Sequence, residues 1–154
     1  MQLSRLTAVL LVFAAASACH DTTAPSVSAN RSVAEMVVGA WTQVRAANGT
    51  SLQVHLSAHD TTLSGSGTYS TTAAGVGAVE IRGFVFWQES LNAPSGFVVP
   101  AEPVVVLDFT FDNGRTARFD QATLAGADTL NGALTFSEDQ FHSYGVSFTR
   151  SPTP

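Results

Sequence analysis

Between residues 40 and 150 the sequence beats at a period of two. β-branched and aromatic residues alternate with polar ones, and Gly, Asn and Asp break the alternation at short intervals. Successive side chains of an extended chain point to opposite faces, so this rhythm is that of strands buried on one side. No stretch after Ala40 sustains helical spacing. The pattern divides into eight strands, at about 40–46, 51–59, 62–71, 77–88, 104–111, 115–124, 128–137 and 142–150. Most connections span only a few residues, which forces sequential antiparallel neighbours rather than crossovers. A flat meander would leave two strand edges unpaired. Bringing the first strand against the last removes both, so the expected fold is all-β, an eight-stranded antiparallel up-and-down β-barrel. A two-sheet β-sandwich is the alternative.

One hairpin can be read residue by residue. A two-residue turn at Asn113-Gly114 would pair Asp112 with Arg115 and set Phe109 beside Arg118, mixing polar and apolar groups on both faces. A three-residue loop of Asp112, Asn113 and Gly114, with a left-handed Gly, pairs Phe109 with Ala117 and Leu107 with Phe119 on one face. It sets Asp108 against Arg118 and Thr110 against Thr116 on the other, so the bulged register is predicted. The remaining strands give a consistent inner set: Leu52, Val54, Leu56 and Ala58; Leu130, Gly132, Leu134 and Phe136; Tyr144, Val146 and Phe148. Gly65 and Gly67 share the inner face of the third strand. They either let large neighbours such as Trp41 or Phe148 fill the interior or leave a cavity.

The N-terminal residues follow a different logic. Met1 to Arg5 carries one positive charge, and the apolar run Leu6 to Ala16 is broken only by Thr7. That run is well short of the roughly 20 residues a membrane-spanning helix needs, and it ends in the small residues Ala16-Ser17-Ala18. It has the form of a cleaved signal peptide. The expected organisation is a signal peptide at 1–18, a flexible Thr, Ser, Ala and Asn-rich tether at 19–31, and a β-barrel domain at 32–154. Ser32-Val33-Ala34-Glu35 matches a capping box and predicts a short helical turn ending by Gly39.

Ala16-Ser17-Ala18-Cys19 resembles the lipobox of bacterial lipoproteins. The resemblance implies that Cys19, the only cysteine in the chain, becomes the mature N-terminus and is acylated. The partner is then the membrane, reached through lipid on Cys19, and the place is the bacterial cell envelope. Ordinary A-x-A cleavage, releasing a soluble secreted protein, is the alternative. Acylation by more than one chain suffices for stable anchoring, since each buried methylene contributes about 0.8 kcal/mol.

The precursor holds 7 basic and 12 acidic residues, with no lysine. Loss of Arg5 with residues 1–18 takes the net charge from −5 to −6. No basic stripe exists, which disfavours nucleic acid as a partner and electrostatic docking on anionic lipid.

Gly39-Ala40-Trp41, opening the first strand after a helical turn, resembles the G-x-W signature of the calycin barrels, the lipocalin and avidin-like families. Arg150 stands where lipocalins carry an Arg that packs over that Trp and closes the barrel floor. Leu63 to Tyr69 is similar to the second hairpin of avidin-like chains. The resemblance implies barrel closure by Trp41 and Arg150 and raises ligand binding as an expectation without naming a ligand.

Candidate chemistry is sparse. His55 and His59 lie four apart on one strand, roughly 13 Å from each other, too far to share a metal ion, and their face also carries Gln53 and Ser57. His142 has the parity of Tyr144 and falls near the barrel mouth. Asp108, Asp112, Asp120, Glu138 and Asp139 fall at turns or on the outer face, which offers no enclosed acid/base site. The sequence contains neither a G-x-S-x-G nor an HExxH motif, and no phosphate loop, so neither an enzyme nor a metal or other cofactor is expected. The long connection from Glu89 to Pro103 exposes Leu91, Phe97, Val98 and Val99 as a lid or partner hook, or else folds back on the barrel.

Two functions remain open. In one, the barrel holds a small apolar ligand walled by Trp41, Tyr69, Phe109, Phe111 and Phe119. In the other, the barrel is filled and its outer face or the 89–103 loop docks an envelope protein.

Overall fold

The computed structural model describes residues 25–73, 75–92 and 98–152. The readings placed on residues 1–18, on Cys19 and on Phe97 lie outside these described residues. One helix, α1 (Pro25–Met36), precedes ten strands: β1 (Gly39–Gln43), β2 (Thr50–His59), β3 (Thr62–Thr71), β4 (Gly75–Gln88), β5 (Leu91–Asn92), β6 (Val98–Val99), β7 (Glu102–Phe111), β8 (Thr116–Leu124), β9 (Thr129–Phe136) and β10 (Ser143–Arg150). Eight of them close an antiparallel barrel in the order β1, β10, β9, β8, β7, β4, β3, β2. Strands β5 and β6 form a separate two-stranded pair within the Glu89 to Pro103 connection.

Closure is made by β1, which pairs Trp41 with Arg150 on one side and with Val54 on the other. The hairpin from β7 to β8 takes the bulged register, with Leu107 opposite Phe119, Asp108 opposite Arg118, Phe109 opposite Ala117 and Thr110 opposite Thr116. The Phe111 amide bonds the Arg115 carbonyl at 3.0 Å, and Gly114 takes the left-handed φ of +82° that the loop demands. Asp108 and Arg118 form an exposed pair at 3.3 Å.

Two features depart from expectation. The helix starts at Pro25, not near Ser32, so Ser32 lies inside α1 rather than capping it, and the expected tether of residues 19–31 is helical from Pro25. Proline suits a first helical position because its φ is preset and its missing N–H would have no partner there. The stabilising contact is tertiary: Ala34 and Val37 are buried in the barrel core, which draws the preceding turns into the helix. The second departure is a register shift on β8 between Asp120 and Thr123, where Gln121 adopts a φ of +49°. This bulge bends the wall as barrel closure requires.

Candidate functional site

The interior is built from the inward positions of all eight barrel strands. Trp41, Tyr69, Phe109, Phe111 and Phe119, the residues expected to be wall or core, are all buried, along with Phe136 and Phe148. Five of these rings pair with one another. Tyr69 meets Phe111 edge-on at 4.9 Å, Phe111 stacks near Phe136 at 6.3 Å, and Phe119 meets Phe148 edge-on at 5.3 Å. A void able to hold a ligand would leave its lining open to a water-sized sphere, yet Phe119, Leu134 and Phe136 have 0% of their surface accessible. Small residues give room to large ones: the position a Cβ would take on Gly132 lies 2.7 Å from the Phe119 ring. The described grooves run mostly along the outer wall, among them one of about 280 Å³ lined by Thr42, Ser51, Gln53 and Thr68 together with the inward Gln43, Leu52 and Tyr69.

The barrel end where α1 sits is closed by Arg150. Its guanidinium carbon lies 4.5 Å from the centre of the Trp41 ring. The same guanidinium donates to the Val38 carbonyl at 2.7 Å, to the Met36 carbonyl, and to the Ala127 carbonyl at 3.1 Å. It also lies 3.3 Å from Asp128. Trp41 in turn donates its indole N–H to the Val37 carbonyl at 2.8 Å. One side chain on the last strand thus collects the carbonyls that α1 leaves free at its C-terminal end.

The opposite end is tied by carboxylates. Tyr69 donates its hydroxyl to Asp112 Oδ1 at 2.8 Å while the Ala78 amide donates to Oδ2 at 2.8 Å, joining β3, β4 and the turn after β7. Tyr144 donates to Asp139 Oδ2 at 2.7 Å, and His142 Nδ1 lies 2.5 Å from the other oxygen. Arg115 pairs with Glu138 and covers the rings of Phe111 and Phe136 at 5.7 and 5.3 Å. The Ala78 amide and then the Tyr69 hydroxyl hold Asp112 below the usual carboxylate range. The bonds from Tyr144 and then His142 do the same for Asp139. Burial pushes Glu138 up, but the Arg115 bond and the nearby amide outweigh it and leave the group lowered. The bond each hydroxyl donates to its aspartate, with burial second, raises Tyr69 and Tyr144. Every one of these shifts moves away from neutrality, which suits fixed ties rather than proton transfer.

The sequence reading missed this mouth cluster. It placed Asp112, Glu138 and Asp139 at turns or on the outer face, because face parity does not say which turns meet around the circumference. The inward parity shared by Tyr69 and Tyr144 at that end was the available signal. His55 and His59 are exposed on the outer wall. Among the described residues no group of three or more His, Cys, Asp or Glu stands close enough to hold a metal ion. Leu91, Val98 and Val99 belong to the β5 and β6 pair, in which the backbone register sets Leu91 with Val99 and Asn92 with Val98.

The outer wall is uneven. Across β2 and β3 it presents Gln53, His55, Ser57, Ser64, Ser66 and Thr68, while β4 and β7 carry an apolar patch. There Val104 and Val106 are buried despite outward parity, opposite Phe86 and Phe84, which remain 38% and 42% exposed. The two rings lie 6.0 Å apart. No protein-family model matches the chain, and no curated protein matches it.

Proposed function

We propose that this chain is an envelope lipoprotein, acylated on Cys19, whose solid barrel is a rigid, non-enzymatic platform for docking another envelope component. The observation that carries the solid-barrel part is the packed interior, where Phe109, Phe111, Phe119, Phe136 and Phe148 occupy the space a ligand would need. The signal-like residues 1–18 and the lipobox-like Ala16 to Cys19 support the anchor. Support for a non-enzymatic role comes from the mouth, whose carboxylates are held ionised and whose tyrosines are held neutral. Partner contact then falls to the outer wall and the 89–103 connection.

Native mass spectrometry of protein extracted from its own host membranes tests both halves. The expected mass is that of a chain beginning at Cys19 with acyl chains attached and no small molecule retained. An unacylated chain cleaved at Ala18 would overturn the anchor, and a stoichiometric small molecule surviving gentle denaturation steps would overturn the solid platform.

A further inference from the structure

We infer that the apolar patch of Phe84 and Phe86 rests on the lipid surface to which Cys19 is attached, fixing the barrel with its α1 end down and its mouth away from the membrane. The inference rests on the lipoprotein reading above and adds an orientation to it.

Chain length is the first argument. Six peptide steps separate Cys19 from Pro25, the first residue of α1, and fully extended they reach about 20 Å. The barrel strands run to ten residues and more, and at the usual barrel tilt of about 40° they make a wall about 25 Å tall. The tether is therefore shorter than the body it holds, and the end bearing α1 stays close to the bilayer whatever path the tether takes.

Position is the second. Helix α1 packs chiefly against β4 and β7, the same two strands that carry the patch. Phe84 and Phe86 fall in the last five residues of β4, and Val104 and Val106 in the first half of β7, so the patch lies at the α1 end of the wall. Val27, Met36 and Val38 are exposed at that end too. Large apolar residues are also exposed at the mouth, namely Val44, Val76 and Phe141. They stand a barrel height from α1, beyond the reach of the anchor.

Charge is the third. With no lysine and a surplus of acidic residues, the body is not drawn to anionic lipid. Arg82, next outward on β4, is engaged by Glu80 and stands opposite Asp108. The contact is thus one of aromatic side chains with the interface of a zwitterionic bilayer.

The test uses the full acylated chain in phosphatidylcholine vesicles. Acylation consumes the only native thiol, so Phe84→Cys carries a unique site for a bimane label, and Phe141→Cys supplies the mouth control. The label at 84 is expected to lose fluorescence to a doxyl-labelled lipid and to resist aqueous iodide, and the label at 141 to show the reverse. Phe86→Cys repeats the measurement should the first variant misfold. Vesicle-bound protein whose label at 84 is open to iodide overturns the orientation alone, as does quenching by lipid at 141 instead. A chain whose N-terminal peptide carries no acyl group overturns the anchor, and the orientation with it.

Discussion

The two ends of the barrel solve the same problem with different chemistry. At the α1 end, one guanidinium gathers neutral backbone carbonyls over the Trp41 ring. At the mouth, two tyrosine hydroxyls and an arginine are held by three carboxylates. Carbonyls do not titrate, whereas carboxylates do; apart from the exposed Asp128 beside Arg150, the α1 seal rests on carbonyls, so acid bears chiefly on the mouth. The contrast shows that barrel closure can be split into a permanent part and a conditional one.

The largest effect is expected at the permanent end. Trp41→Ala removes a ring with 1% of its surface exposed and should cost about 3–5 kcal/mol, read as a fall in the urea midpoint. Arg150→Ala comes next. Its side chain is 29% exposed, so solvent screens part of the loss, and about 1–3 kcal/mol is expected. Arg150→Lys should restore little, because an ammonium lacks the planar fork that reaches several carbonyls. A lysine variant as stable as the parent would break the comparison.

Acid sharpens it. Asp112, Asp139 and Glu138 have lowered values in the folded state. Their contribution is fully present above the ordinary carboxylate values of 3.8 and 4.5 and is lost as pH falls through the lowered ones. Hydrogen-exchange protection, corrected for intrinsic rates, should therefore drop first at residues 112–116 and 137–142 on acidification, with residues 37–41 unchanged. At the alkaline limit the raised Tyr69 and Tyr144 reverse the sign: their contribution is intact below 10.0 and lost as pH climbs through the raised values. The smallest effect is local. Tyr69→Phe should move the Asp112 titration back toward its ordinary value, followed by carboxyl chemical shifts, while leaving the α1 end untouched.

The barrel was legible in the sequence because period two is a direct consequence of extended geometry, and a one-residue slip would have put Phe109 opposite Arg118. The Asp112 to Gly114 loop was legible for the same reason. What escaped was decided by contacts between distant segments. The capping-box residues Ser32 and Glu35 marked a plausible local start, but docking of Ala34 and Val37 on the barrel extends the helix back to Pro25. The bulge at Gln121 carries no glycine to announce it. Tyr69 with Asp112, and Arg115 with Glu138, meet only because the wall curves, a fact no single hairpin contains. Trp41 and Arg150 were read from resemblance rather than from periodicity.

The place of Arg150 in the chain also bears on timing. Strand β1 has one partner as soon as β2 follows it, but its other edge waits for the final strand, more than a hundred residues later. A polypeptide emerging N-terminus first therefore remains an open, unlatched ribbon until its last segment arrives, and only then snaps into a ring. For a chain exported as we propose, that delay keeps it threadable for almost the whole of its passage.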